Sequence, residues 1–367
     1  MATVIGDDPL WWEPSQWHLA LVLALVATAC WGSWSNTAKD AGGRVNFAHY
    51  YTDFCIGALL TAVLFALTLG AGVFGREQVD LSLCFYAFLA GGVFGVANLM
   101  LTTGVALAGL AIAVPLCLGT GLVGGTVLTY FVDRRGHPEL IFLGVLFAFL
   151  GVLANARAYA ALERSRRRAG DDDNLEVELV AERSCPAPAS SPSEGGDAAP
   201  ATSVARNTTL CIIGGVFRSL WAPFAAKSRA GDEGLSPYFS FVCFTASSLA
   251  VAVLILAGQQ YGISVMPRVG SVTSAREYVR LPVMLHGWGL LGGFIWAVGT
   301  LSNLVSGGPL GNAVAYALGQ SAPVVAAFWG LTRYREFKGA PRESVVALVS
   351  MFALFLAAIT LLCLGGS

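Results

Sequence analysis

A single arginine interrupts an apolar run of about twenty residues, the length that spans a bilayer. Arg218 lies in GGVFRSLWAPF, and the run 207–226 holds no other charged residue. A second ionisable side chain, Asp53, falls in the apolar stretch AHYYTDFCIGALL. An ionisable group within a membrane faces a partner or a cavity instead of lipid. A guanidinium presents a planar set of donors to carbonyl or anionic groups, and a carboxylate can carry a proton.

Two interpretations of this pair stay open. In the first, Arg218 and Asp53 neutralise each other inside the bilayer, which is a structural role. In the second, Arg218 donates hydrogen bonds to a carbonyl-rich or anionic substrate, and Asp53 binds that substrate or couples its passage to a proton. His49 lies four residues before Asp53, nearer to an embedded polar group than the other three histidines, so it is also a proton-coupling candidate.

Neutral polar and aromatic side chains complete the candidate substrate-binding set. Amides can match planar C=O and N–H edges in a cavity, and they can equally join helices by hydrogen bonds. Indole rings can stack on a flat heterocycle, and they can equally pack together or anchor a span at the membrane interface. Both interpretations stay open for the six residues, which are Gln320, Asn98, Asn303, Trp31, Trp34 and Trp221.

These side chains must be positioned by helices that cross a membrane. The 367 residues are 55% hydrophobic and 12% charged, whereas a soluble domain carries about 25% charged residues. The charges lie between apolar runs, so we predict an all-α membrane protein. We expect ten spans, at about 17–38, 48–70, 82–105, 109–131, 138–158, 207–226, 237–258, 284–305, 309–332 and 343–364.

Enzyme and cofactor signatures are scarce. The sequence has no G-x-x-x-x-G-K-[ST] loop, no G-x-S-x-G elbow and no H-E-x-x-H motif, and its eight cysteines show no metal-ligand spacing. We therefore expect no catalytic residues, no cofactor and no metal. The partners that we expect are a small-molecule substrate, the lipid bilayer and protons as the coupling ion. We expect no nucleic acid, and we expect a monomer or a weak homo-oligomer.

The chain divides into two halves that look repeated. Residues 161–206 are rich in Pro, Ser, Gly, Ala and charge, so we predict a disordered cytosolic tether, with a regulatory role as the alternative. It follows a segment 1–16 and the first five-helix repeat, 17–160, and precedes the second, 207–364. Residues 89–133 recur in pattern 201 positions later. Because five is an odd number, the second repeat is inverted, as in alternating-access carriers.

The distribution of cations predicts the orientation. Of the 22 lysines and arginines, five would lie on the N-terminal side of the membrane, sixteen on the other side and Arg218 within a span. Cytoplasmic loops carry the excess of cations. Both termini, including the segment 1–16, are therefore predicted to be extracytoplasmic, and the loop 161–206 cytosolic. The plasma membrane is the default location.

The same stretches resemble the ureide permease family of plants, within the drug/metabolite transporter superfamily. The family's Trp-Gly-Thr-Trp-Pro signature is similar to WGSWS at 31–35, and its other elements are similar to positions in later spans. Those positions are Tyr50, Asp53 and Phe54; Gly91, Gly92, Asn98 and Leu99; Tyr130, Phe131 and Asp133; and Gln320, Pro323, Phe328, Trp329 and Gly330 within GGPLGNAVAYALGQSAPVVAAFWG.

This resemblance implies a secondary active, proton-coupled carrier of small polar heterocyclic or ureide compounds such as allantoin or uracil. Two alternatives stay open. The first is sugar uptake, since bacterial sugar carriers belong to the same superfamily. The second is a membrane scaffold or receptor that transports nothing, although such a protein would not require an arginine at mid-depth.

Overall fold

The computed structural model describes residues 11–42, 44–70, 80–108, 110–184, 201–231, 233–260 and 275–366. The regular secondary structure of these residues is helical throughout, and ten segments are long and apolar enough to cross a membrane. The predicted all-α class and ten spans are therefore confirmed. Numbered in chain order, spans 1–10 are Trp17–Ala41, Phe47–Thr68, Leu81–Val105, Ile112–Asp133, Pro138–Arg168, Arg206–Lys227, Pro237–Gly258, Val283–Leu310, Asn312–Thr332 and Arg342–Gly365.

Three spans are composite, and the others belong to single helices. Span 1 contains the helices Trp17–Ser33 and Ser35–Ala41, span 4 contains a π-turn at Pro115–Gly119 before Thr120–Asp133, and span 9 contains Asn312–Gly319 and Ala322–Thr332. The single helices are Phe47–Thr68, Leu81–Ala108, Pro138–Ser184, Ala201–Lys227, Pro237–Gln260, Val283–Leu310 and Arg342–Gly365. The short helix Leu110–Val114 overlaps the start of span 4, and the short helix Ala275–Val279 precedes span 8.

Spans 1–4 and 6–9 pack together, whereas spans 5 and 10 pack chiefly on each other. Span 8 contacts spans 1 and 2, and span 3 contacts spans 6 and 7; span 9 contacts span 1, and span 4 contacts span 6. If each span is replaced by the one five places away in the chain, each of these contacts becomes another of them; for example, the contact between spans 8 and 1 becomes the contact between spans 3 and 6. An inverted repeat predicts this pattern. The repeat itself stays a prediction, which the pattern supports.

Two glycines on equivalent spans permit the closest helix contacts. A Cβ added at Gly91 in span 3 would overlap the carbonyl of Phe244 in span 7, and one added at Gly293 in span 8 would overlap the carbonyl of Phe54 in span 2. Only glycine lets two backbones approach so closely. The contacts fix spans 2, 3, 7 and 8 around the aromatic core that includes the candidate site.

Span 5 and span 10 form a separate packing unit. Phe355 and Met351 of span 10 are fully buried, and the ring of Phe355 fills the space beside Gly151 of span 5. At one end of the bundle, the indole N–H of Trp17 donates to the carbonyl of Gly366 at 2.8 Å. The described beginning and end of the chain therefore lie at the same end of the bundle.

The structure differs from the expectation for part of the segment 161–206. The helix of span 5 continues to Ser184, and the helix of span 6 starts at Ala201. Arg, Glu, Leu and Ala, which are frequent between 161 and 184, favour helical backbone by their intrinsic propensity. Residues 185–200 lie outside the described residues, and the division of the chain at 161 and 206 stays a prediction.

Candidate substrate site

Arg218 lies in the bundle interior, on span 6, where span 4 leaves room for it. A Cβ added at Gly121 would lie 2.9 Å from its Cγ and Cδ atoms, so glycine accommodates the arginine stem. One terminal N–H of Arg218 donates to the side-chain oxygen of Asn98 at 3.3 Å. The Asn98 amide in turn donates to the hydroxyl of Tyr51 at 3.3 Å. Spans 2, 3 and 6 thus contribute to one hydrogen-bonded chain.

No carboxylate of the described residues lies within ion-pair distance of Arg218. Its Nε is buried without a hydrogen-bond partner among those residues, and its guanidinium carbon lies 5.9 Å from the centre of the Phe94 ring. The structural interpretation in which Arg218 and Asp53 neutralise each other is therefore not realised here. A buried cation with a free donor can bind a carbonyl or anionic ligand.

The Phe94 ring beside the guanidinium belongs to a cluster of aromatic rings around Trp221. Arg218 and Trp221 lie one helical turn apart and therefore share a face of span 6. Trp221 makes edge-to-face contacts with Trp31 at 6.1 Å, Phe94 at 6.0 Å and Tyr316 at 5.4 Å between ring centres. These rings come from spans 1, 3, 6 and 9, so the predicted Trp31 and Trp221 are brought together. Such rings can flank a flat ligand.

The other predicted tryptophan lies farther along the same aromatic core. Trp34 contacts Phe54 at 4.9 Å between ring centres, and Phe54 contacts Trp296 at 5.5 Å. The indole N–H of Trp31 donates to Thr300 at 3.0 Å, which fixes its orientation. Trp34 thus packs beside span 2, and its connection to Arg218 runs through intervening rings.

The two remaining amides are buried near the break in span 9. The Asn303 side chain donates to the carbonyl of Ala315 at 2.6 Å and so joins spans 8 and 9, which is the structural role that the sequence left open. It also lines a small cavity together with Trp221 and Tyr316. Gln320 is 9% exposed and follows the helix that ends at Gly319, where backbone groups leave the regular helical pattern.

Asp53 lies in a second cluster, between spans 2 and 8. Its carboxylate accepts a hydrogen bond from the hydroxyl of Tyr278 at 2.5 Å, and Nδ1 of His286 lies 2.9 and 3.0 Å from the two oxygens. Gly289 allows this approach, because an added Cβ would overlap Asp53. On a helix, positions two apart point about 200° from each other, so Asp53 faces away from Tyr51.

The histidine that contacts Asp53 is therefore His286 and not His49, whose ring lies 5.5 Å from that of Tyr278. Burial and then the hydrogen bond and charge of Asp53 raise the pKa of Tyr278, so its hydroxyl stays protonated and donates. A carboxylate, an imidazole and a phenol in contact can take up and release a proton. The Asp53 cluster can serve as a proton site separate from Arg218.

Sequence reasoning missed six residues of these two clusters: Tyr51, Phe94, Trp296, Tyr316, Tyr278 and His286. Two of them could have been found from the sequence. Tyr316 precedes the candidate Gln320 by one helical turn, and Tyr51 lies in the same apolar stretch as the candidate Asp53. Tyr278 falls in the polar connection before span 8, and nothing in the sequence places its ring against span 2.

Three comparisons with known proteins bear on this site. Residues 225–365 match the family model described as Ureide permease. The chain is 25% identical over 379 residues to Ureide permease 1 of Arabidopsis thaliana, and 24% identical over 390 residues to Ureide permease 4 of the same plant. Each alignment covers 94% of this chain and 96% of the relative.

The likeness to a solved structure concerns the fold alone. One crystal structure matches with a TM-score of 0.52 and 17% sequence identity, and the match covers 93% of this chain and 96% of the other. The alignments with the two relatives and with this crystal structure extend over nearly the whole chain, whereas the family-model match begins after Arg218 and Asp53.

Proposed function

We propose that this chain is a member of the ureide permease family and acts as a secondary active carrier that moves small polar heterocyclic or ureide compounds, such as allantoin or uracil, together with protons. A permease is a membrane transporter and not an enzyme, and the ten spans agree with that class. The names of the relatives suggest ureides as the class of substrate. The particular compound and the proton as coupling ion are our proposal.

The observation that carries the proposal is the Arg218 guanidinium, whose Nε is buried without a hydrogen-bond partner and which has no carboxylate within ion-pair distance among the described residues. Ureides and pyrimidine bases present adjacent C=O and N–H groups in one plane. The free donors of Arg218 fit the carbonyl oxygens, the Asn98 amide fits either group, and the ring of Trp221 fits the flat face. We call the proposed site around Arg218, Asn98, Trp221 and Tyr316 the substrate chamber. In this interpretation Gln320, Asn303, Trp31 and Trp34 complete its walls.

Proton coupling is assigned to the Asp53 cluster. The carboxylate holds hydrogen bonds from Tyr278 and His286, so gain or loss of its charge changes contacts between span 2 and the region before span 8. His49 stays a second candidate, because its ring packs on Tyr278. A proton gradient can act on this cluster while the substrate occupies the chamber on the opposite face of span 2.

For the orientation, we place both termini outside the cell and the segment 161–206 in the cytosol of a plasma-membrane protein. The contact between Trp17 and Gly366 supports a common side for the two termini. Fusion of a glycosylation acceptor to either end tests the side. Both fusions should acquire glycan, and an acceptor inserted at 190 should not.

The decisive experiment measures uptake by vesicles that contain the purified chain. Labelled allantoin, uracil and glucose are each supplied with and without an inward proton gradient. We expect uptake of allantoin or uracil that the gradient accelerates. Preferred uptake of glucose would instead establish a sugar carrier, and no uptake of any solute would favour a scaffold or receptor.

Two substitutions then assign the site. Arg218→Ala should abolish uptake with and without the gradient, whereas Asp53→Asn should remove only the acceleration by the gradient. Arg280→Ala is the matched control, because Arg280 is an exposed cation at the end of the Asp53 cluster. Normal uptake by inserted Arg218→Ala protein would reduce that arginine to a packing role.

A further inference from the structure

A polar cavity of about 630 Å³ opens at the end of the bundle where spans 4 and 6 end and span 9 begins. We call it the vestibule. Its charged lining residues are Glu13, Asp133, Arg135 and Arg229. The substrate chamber and the Asp53 cluster use none of these side chains. The vestibule lies on the side that the cation distribution predicts to be extracytoplasmic.

A second, much smaller cavity lies beneath the vestibule. Its free volume is about 10 Å³, which is room for about one water molecule. Arg229 and Asn312 line both cavities, and the walls of the smaller one include Trp221 and Tyr316, which belong to the substrate chamber. The path from the vestibule to the chamber therefore passes the contact between Arg229 and Asn312 and is closed to any organic solute.

Arg229 holds this closure across three spans. Its guanidinium donates to the carbonyl of Leu304 in span 8 at 2.6 Å and to the side-chain oxygen of Asn312 in span 9 at 2.5 Å. Its Nε donates to the carbonyl of Ala225 on its own span at 3.1 Å. These are charge-assisted hydrogen bonds, which are stronger than those between neutral groups.

Asn312 extends the closure to span 4. Its backbone N–H and its amide both donate to Oδ2 of Asp133, at 2.8 and 3.0 Å. The other oxygen of Asp133 is buried without a hydrogen-bond partner among the described residues. One carboxylate oxygen thus carries two bonds while its neighbour carries none, an arrangement that leaves acceptor capacity for another donor.

The closed arrangement is also opposed by desolvation. Burial lowers the pKa of Arg229 to about 10, and the charges of Glu13 and Asp133 only partly offset that effect. Arg229 is therefore still a cation at neutral pH, half-buried at the wall of the vestibule. A partly desolvated cation and an unsatisfied carboxylate oxygen both gain hydration when the contact opens. This gain in hydration offsets the hydrogen bonds that are lost on opening, so the contact can have two alternative arrangements, closed and open.

We propose that the vestibule is a second binding site for the transported compound and that Arg229, Asn312 and Asp133 form the gate beneath it. The inference rests on the proposed function, since it assigns planar compounds with adjacent C=O and N–H groups to this site. A carbonyl oxygen of the bound compound replaces the Asn312 side chain as acceptor for Arg229, and an N–H group donates to the free oxygen of Asp133. Spans 6, 8 and 9 then separate.

The test measures how fast a reporter below the gate reacts with a membrane-impermeant thiol reagent. Thr129 is 1% exposed and lines the small cavity, so Thr129→Cys supplies the reporter, and the chain without this substitution gives the background. Asn312→Ala removes the side-chain acceptor of Arg229 in span 9 and leaves the two backbone acceptors in place. It should accelerate labelling from the vestibule side by at least about tenfold, which corresponds to about 1.4 kcal/mol.

Arg134→Ala is the matched control. It removes an exposed cation next to Asp133 and should leave the labelling rate unchanged. Arg229→Lys repeats the test if Asn312→Ala protein does not insert, because an ammonium cannot reproduce the planar set of donors. Unchanged labelling in the gate variants, or equal acceleration in Arg134→Ala, would overturn the gate.

The binding half of the proposal is tested with unlabelled allantoin. Saturating allantoin should accelerate reporter labelling in a chain whose gate residues are native. If the same vesicles take up allantoin but the compound leaves labelling unchanged, the vestibule is not a binding site. If the vesicles take up no solute at all, the proposed function fails, whereas the labelling difference between Asn312→Ala and Arg134→Ala still reports on the gate.

Discussion

Gly121→Ala should displace Arg218 without touching any of its polar partners. The added Cβ would lie 2.9 Å from Cγ and Cδ of the arginine, whereas carbon atoms in favourable contact are about 3.5–4.0 Å apart. The stem must therefore move by about 0.6–1.1 Å. The bond from Arg218 to Asn98 is already 3.3 Å long, so a shift of this size breaks it.

The size of the effect follows from that bond. A hydrogen bond to a charged group contributes about 1.5–3 kcal/mol, so its loss should raise the apparent KM about 10- to 150-fold if the bond positions the guanidinium for substrate. The assay is concentration-dependent uptake of labelled allantoin or uracil by vesicles containing equal amounts of inserted protein. Thermal unfolding in detergent is measured in parallel.

Gly287→Ala is the matched control for this substitution. Nothing lies within 4 Å of a Cβ at Gly287, which is also helical, so alanine there should only improve helix stability, by up to about 1 kcal/mol. A Gly121→Ala protein with unchanged KM would refute the placement of Arg218 in the substrate chamber. A lower melting temperature with unchanged KM would show that Gly121 serves packing alone.

Three further perturbations separate the parts of the molecule. Asn98→Leu should raise KM for both allantoin and uracil by a similar factor, measured by uptake, because it removes the same bond from the other side. Tyr278→Phe removes the hydroxyl that donates to Asp53, so the acceleration of uptake by a proton gradient should fall while uptake without the gradient is unchanged; an unchanged acceleration would contradict this role. Phe355→Ala should lower stability by about 3–5 kcal/mol with KM unchanged, whereas Leu356→Ala, 68% exposed, should leave the melting temperature nearly unchanged.

Hydrophobic patterning predicted the helical framework well, because the length of an apolar run and the thickness of a bilayer are closely linked. The ten spans fall close to their predicted ranges. Breaks within the spans were harder to predict than the spans themselves. Pro323 follows a break in span 9, whereas Pro223 lies within a continuous helix. Neighbouring helices and small adjustments can satisfy the backbone carbonyl that a proline leaves without its usual donor.

The grouping of the site residues required the third dimension. Sequence patterns placed Arg218 and Asn98 within spans, but only the packing of span 3 against span 6 brings them together. Arg218 and Asp53 show the converse. Their opposite charges would allow them to form an ion pair, yet in the structure they face different neighbours. Side-chain direction on span 2 decides this outcome, and that direction depends on which spans lie beside it.

If the chain is proton-coupled, as we propose, the separation of the two clusters constrains how a proton drives transport. Spans 2 and 8 touch backbone to backbone at Gly293, with no space for sliding, so they are expected to move as one body. His286 travels with span 8, and its contact with Asp53 therefore survives such a movement. Tyr278 belongs to the separate helix Ala275–Val279 and is the partner that can leave. In the proposed mechanism, loss of the Asp53 charge weakens that contact first, so a proton would release this helix, and Tyr51 on the opposite face of span 2 would carry the change to Asn98 and the substrate.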